Sequence, residues 1–255
     1  MTVRHYTPLE QARHAPGLRL VLSAGLPGPW GMAAKAFFDL KGVDYLAVAQ
    51  RAGEANDDLV AWTGHGNAPM ALLDDERVRT HWSEILMLAE RLAPTPPLIP
   101  TEQQDRAAMF GLCHELCGED GFGWSARTIM FAAADAAGSG DGIALLKARY
   151  GDDRSPDHGH RRFNAIVTGL AARLEGQRAS GSAYLVGRQL SAADIYWAMF
   201  STLIAPMAAE MCPTPPNYRD LAALFNSVLD RPVPEILIAH RDGILRERFD
   251  LPLWF

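Results

Sequence analysis

The chain has 255 residues, 48% apolar and 21% charged, with a net charge of −6 and three cysteines. This is the composition of a globular protein with ample core, and its scattered basic residues give a nucleic acid no electrostatic footprint. No run reaches transmembrane length, and Met1-Thr-Val-Arg-His-Tyr6 lacks the apolar core of a signal peptide. Cys113, Cys117 and Cys212 form no CxxC and cannot all pair, which fits a reducing cytoplasm. No internal repeat or low-complexity tract interrupts the chain.

Residues 1–17 precede the first strand and read as a poorly ordered or surface-packed arm. Leu18 to Ser23 reads as a short buried strand. Pro29 suits a helix's first turn, and that helix runs through Ala33, Phe37 and Leu40 to a left-handed stop at Gly42. Asp44 to Gln50 reads as a second strand, and Asn67-Ala-Pro-Met-Ala-Leu-Leu-Asp-Asp75 as loop, third strand and turn. Trp82 to Leu92 is helical. The proline-rich stretch within 94–101 reads as a linker, dividing residues 18–93 from a second domain over 102–255.

The second half is all helical. Thr101 can cap a helix through Cys117, with Met109, Leu112, Cys113 and Leu116 on its core face. Gly118, Gly121 and Gly123 break it, Trp124 to Ala137 resumes, and Gly138-Ser-Gly-Asp-Gly142 reads as a flexible turn. Phe163, Ile166, Val167, Leu170 and Leu174 mark another helix. Then Tyr184-Leu-Val-Gly-Arg-Gln-Leu-Ser-Ala-Ala-Asp-Ile195 carries a capping box, Ser191 at the N-cap and Asp194 reaching back to its N–H. The segment from Ile195 to Leu203 is apolar almost all round, so it is a core helix. Pro213 to Pro216 punctuates the next connection, a last helix spans Pro234 to Arg248, and Leu251-Pro-Leu-Trp-Phe255 packs down.

The string leucine-valine-glycine, then serine-x-x-aspartate-isoleucine, resembles the capping segment in the helical domain of glutathione S-transferases. The N-terminal half resembles their thioredoxin-like domain, so the likeness covers most of the chain. It implies an α/β thioredoxin-like domain followed by an all-α domain, and a cis peptide before Pro69. It also implies glutathione as co-substrate, a small hydrophobic second substrate, a homodimer, and no metal, membrane or nucleic acid. Trp30 and Trp82 are candidates for apolar contact between subunits.

Such enzymes stabilise the glutathione thiolate. A free thiol titrates near ~8.5, so only about 3% is thiolate at neutral pH, and lowering the pKa by ~2 units is worth about 2.7 kcal/mol. The resemblance puts the helix-start position at Gly28 and the strand-end tyrosine position at Ala24, neither of which has a functional side chain. Ser23 is the one nearby hydroxyl, one residue off, and that shift turns it to the opposite face of a regular strand. The remaining donors are the Trp30 indole and the main-chain N–H groups of Trp30 and Gly31, aided by the helix dipole. For Trp30, packing at an interface stays open beside thiol activation.

For the tripeptide, the resemblance assigns the Ala68 main chain before Pro69 to the cysteinyl segment. It puts Thr80-His81 at the pair that holds the γ-glutamyl end, with Thr80 capping the helix and His81 near the α-carboxylate. Ser83-Glu84 is the alternative pair, and a solvated loop histidine the plainer reading of His81. Phe110, His114 and Cys117 share one helical stripe assigned to the second-substrate cleft. His114-Glu115 lacks the second histidine of a metal motif, and Cys113 with Cys117 reads more simply as buried thiols than as a soft-metal site. His240-Arg241-Asp242 either lines the cleft or sits on a solvated face, which the default exposure of charge favours. Two functions stay open, a transferase or lyase on a small apolar electrophile and a scaffold or binding protein without turnover. Disulfide reduction lacks its cysteine.

Overall fold

A computed structural model describes residues 5–139, 143–151 and 153–255. The chain divides into two compact units, Met1–Pro96 and Pro97–Trp254.

The first unit is built on three strands in the order β2-β1-β3. β1 (Leu18–Ser23) runs parallel to β2 (Leu46–Gln50), pairing Val21 with Val48 and Ser23 with Gln50. It runs antiparallel to β3 (Met70–Leu73), pairing Val21 with Met70. Burial on both faces explains why Leu20, Val21 and Leu22 follow one another in β1 rather than alternating with polar residues. On one face Val21, Val48, Met70 and Leu72 pack with Ala12 of α1 (Leu9–His14) and Leu59 of α3 (Asp57–Thr63). α2 (Pro29–Leu40) and α4 (Trp82–Leu92) pack together, and Gly31 of α2 approaches Leu22 of β1.

The segment before β1 is thus part of the core. Ala12 is fully buried, and Thr7 N–H donates to the Ala47 carbonyl at 2.7 Å. α3 is an element that periodicity did not indicate. Its seven residues are too few to show a period, and its left-handed flanks, Asn56 and Gly64, do the bounding. α2 stops at Gly42, with φ +64°, as expected from a left-handed glycine. Beside that stop Lys41 is buried, and its ammonium donates to Glu90 at 2.8 Å and to the Ala93 and Pro96 carbonyls, both at 2.7 Å. Three acceptors for three N–H donors let the charge stay buried.

The second unit has seven α-helices among its described residues: α5 (Gln103–Cys117), α6 (Phe122–Ala136), α7 (Ala144–Tyr150), α8 (Pro156–Ala179), α9 (Ala192–Phe200), α10 (Pro216–Ser227) and α11 (Glu235–Arg248). α7 and α10 were not read from the sequence. α9 is the centre, every one of its nine residues buried, with α5 and α11 packed against it. Phe122, Phe163, Trp197 and Phe225 interlock with ring centroids 5.2–5.5 Å apart, in stacked and edge-on pairs. Leu253 of the C-terminal tail packs down, its N–H on the Met211 carbonyl at 2.8 Å.

Several boundaries shift. The N-cap of α5 is Glu102, not Thr101, and α6 starts at Phe122 with Gly123 inside it. Of the turn expected at Gly138–Gly142, residues 140–142 lie outside the described residues.

Candidate functional site

The capping box forms as expected and is larger than two residues show. Asp194 Oδ2 accepts from the Ser191 N–H and the Ser191 hydroxyl, both at 2.9 Å. Its Oδ1 accepts from the Leu185 N–H at 2.8 Å and faces His240 Nε2 at 2.9 Å. Asp194 is fully buried and His240 5% exposed, so this carboxylate ties α9, α11 and the 185–187 loop together inside the core. The expectation of a solvated His240-Arg241-Asp242 face is therefore corrected. His240 and Arg241 point inward, the latter donating to the Ala205 carbonyl and to Asp242. The partners that keep these groups buried come from elsewhere in the chain, Asp194 being 46 residues away.

The start of α2 is built differently. Its N-cap is Gly28 and no side chain caps it. Gly28 N–H turns to the Leu26 carbonyl at 2.8 Å, Pro29 has no N–H, and Met32 N–H begins the intrahelical series. The first-turn donors are therefore the main-chain N–H groups of Trp30 and Gly31, at the positive end of a twelve-residue helix. The Trp30 side chain is half-buried.

Ser23 lies beside this helix start but is committed elsewhere. A regular strand would turn Ser23 to the face opposite the expected hydroxyl position, but its hydroxyl is found beside the start of α2. Beyond it the loop returns, so that Ser23 Oγ stands 3.8 Å from where a Cβ at Gly28 would be. The hydroxyl donates to Gln50 Oε1 at 2.9 Å. Gln50, with no exposed surface, donates through Nε2 to the carbonyls of Arg51 at 3.1 Å and Gly66 at 3.2 Å. Two carbonyl partners fix which end of the amide is nitrogen, and hence that Ser23 is the donor to Gln50. As a thiol donor Ser23 is thus already engaged. Gln50 escaped the sequence reading because a lone strand-end glutamine carries no pattern.

Ala68 and Pro69 are joined by a cis peptide, and Ala68 is half-buried against the core cluster of the sheet, two residues before β3 begins. Gln50 reaches the same loop through Gly66.

At the start of α4 the capping residue is His81, not Thr80. His81 Nδ1 accepts from the Ser83 N–H at 3.4 Å and lies 2.8 Å from the Ser83 hydroxyl. That use of Nδ1 leaves Nε2 as the one outward nitrogen of an exposed ring, which stacks at a tilt on Trp82. Thr80 is exposed. Of the alternative pair, Ser83 is held by His81 and Glu84 by Arg77 at 2.7 Å. That hydrogen bond and the Arg77 charge hold the Glu84 carboxyl below its ordinary range.

On α5 the stripe of Phe110, His114 and Cys117 divides. Arg106 lies over the half-buried Phe110 ring at 5.1 Å, and His114 is exposed. Cys117 is 2% exposed, its thiol on the Cys113 carbonyl at 2.9 Å, and burial pushes its pKa well up. It is a core residue, which corrects its assignment to a cleft. A cavity of about 470 Å³ opens in the second unit between the start of α5, the end of α8 and the 182–190 loop, and it is lined by none of these three residues. Among the described residues no group of three or more His, Cys, Asp or Glu could hold a metal ion, and no helix is long and apolar enough to cross a membrane.

No family model and no curated protein matches the chain. Solved structures do. A glutathione S-transferase domain-containing protein of Marinobacter aquaeolei VT8 is similar with a TM-score of 0.62 at 14% identity, covering 90% of this chain and 98% of its own. A rice glutathione S-transferase in complex with glutathione gives 0.59 at 15% identity, covering 94% of each chain. The beta-etherase LigF of Sphingobium sp. strain SYK-6 gives 0.57 at 19% identity, covering 88% of this chain and 99% of its own.

Proposed function

From the premise that this chain has the glutathione S-transferase fold, a small thioredoxin-like sheet unit followed by a helical one, we propose that it binds glutathione in its first unit and uses the thiolate on a small hydrophobic electrophile. The single observation that carries the reading is the start of α2. An uncapped helix end, with Trp30 and Gly31 N–H as its first-turn donors, stands at the end of β1, and such an end favours an anion. The glutathione bound by the rice protein of the same fold supports the choice of ligand.

In this reading the thiolate faces the main-chain donors of Trp30 and Gly31 with the Trp30 indole beside them, the peptide pairs along Ala68, and the γ-glutamyl end lies near Thr80 and His81. The second substrate meets Phe110 and His114. Activation rests on the helix end rather than on a tyrosine, serine or cysteine side chain. A cytoplasmic homodimer belongs to the same proposal. The alternative, a binding or scaffold protein without turnover, is favoured by one specific observation: the Ser23 hydroxyl is held by Gln50.

The test is calorimetric titration with glutathione, with thiolate absorbance followed through pH. Binding with a thiol pKa well below that of free glutathione is expected. Binding with an unshifted thiol would favour the scaffold reading, and no binding at millimolar ligand would end the glutathione reading. Trp30→Phe is expected to raise the bound thiol pKa; an unchanged pKa would clear the indole of any part.

A further inference from the structure

Gln50 joins three pieces of the first unit that are far apart in sequence. Its carbonyl oxygen accepts from the Ser23 hydroxyl at the end of β1, its amide donates to the Gly66 carbonyl just before the Ala68–Pro69 segment, and Ser23 stands beside Gly28 at the start of α2. A fully buried amide bonded to Ser23, Arg51 and Gly66 is a rigid brace.

We propose that Gln50 is a positioning residue that keeps the Ser23 O–H directed at its own amide oxygen and anchors the 66–68 segment, so that a thiolate at the start of α2 is stabilised by main-chain donors and not by Ser23. The proposal rests on the glutathione reading above and specifies which group at that site is kept from acting. The physical argument is one of proton count. A serine hydroxyl has one proton, and while Gln50 Oε1 accepts it, Ser23 can offer a thiolate only lone pairs. Orientation of the amide is not free to change, because reversing it would turn Nε2 toward Ser23 and set Oε1 against two carbonyl oxygens. Gln50 touches neither reacting atom and acts through Ser23 and the loop.

The experiment is a cycle of Ser23→Ala, Gln50→Met and the double variant, reading the pKa of the bound glutathione thiol and the dissociation constant separately. Ser23→Ala alone should leave the bound thiol pKa where it is in the parent protein. Gln50→Met, which fills the same space without an acceptor, should lower it by about one unit as the hydroxyl turns to the thiolate. It should also weaken glutathione binding several-fold through the released 66–68 segment. In the double variant the pKa gain should vanish while the weakened binding remains. A brace with a purely structural part would loosen binding but would not lower the thiol pKa. A rise in pKa for Ser23→Ala alone would show that Ser23 already serves the thiolate and would overturn the proposal, and that variant settles the matter even if Gln50→Met fails to fold. A bound thiol pKa unmoved or raised in a folded Gln50→Met would overturn it too. If the parent protein does not bind glutathione, the underlying reading falls first and the proposal with it.

Discussion

Two helix starts in this molecule answer the same physical problem in opposite ways. α9 begins in the core of the second unit, where Asp194 accepts the Ser191 and Leu185 N–H groups and the Ala192 N–H reaches the Leu98 carbonyl at 2.8 Å. α2 begins at a glycine with no side-chain cap, beside half-buried residues. The first end has spent its donors on the fold. The second has no side-chain cap, at a small cost in helix stability, and it is the end at which the proposal above seats an anion.

The sharpest way to break the contrast is Asp194→Ala. It leaves the buried Ser191 and Leu185 donors and the His240 ring without their common acceptor, and should cost about 3–5 kcal/mol in urea denaturation. A loss under about 1 kcal/mol would mean that the cap is redundant. Gly28→Asp works from the other side by giving α2 the cap it lacks. The backbone at Gly28 is extended and a Cβ there meets nothing closer than 3.8 Å, so the residue fits. It should stabilise the protein by a few tenths of a kcal/mol and weaken glutathione binding about tenfold through charge repulsion at the helix end. Unchanged affinity would remove the start of α2 as the anion's seat.

The smallest effect belongs to an exposed copy of the buried contact. Asp120 faces His158 at 2.6 Å, with Arg154 and Arg162 beside it, but these side chains are a quarter to two-fifths exposed. Burial raises the Asp120 carboxyl; the His158 hydrogen bond and the charges of His158, Arg162 and Arg154 outweigh it and hold the pKa below the ordinary value. A depressed carboxyl pKa adds stability above the unfolded-state value, and that stability is lost as pH falls through the folded one. Asp120→Asn should therefore cost under about 1 kcal/mol near neutral pH, given solvent screening, and nothing in strong acid. Denaturation midpoints at the two pH values check the sign.

Local patterns alone drew much of this fold. β1 at Leu18–Ser23, α4 at Trp82–Leu92, the stop of α2 at Gly42 and the Ser191–Asp194 box depend on burial runs, glycine conformation and a three-residue spacing, all of which lie within one segment. The uncapped start of α2 was legible for the same reason, since Gly28-Pro29 has no side chain to offer. α3 was not, because its seven residues are too few to show a period.

What the tertiary structure decided is where polar groups find distant partners. His240 is buried because Asp194 waits for it, and Arg241 because the Ala205 carbonyl does; either side chain alone reads as solvated. Ser23 donates to Gln50, 27 residues on, and Cys117 turned inward while His114 on the same stripe stayed out. Periodicity reports which face of an element is apolar, whereas the use of a hydroxyl, an imidazole or a thiol depends on what the folded chain brings within 3 Å of it.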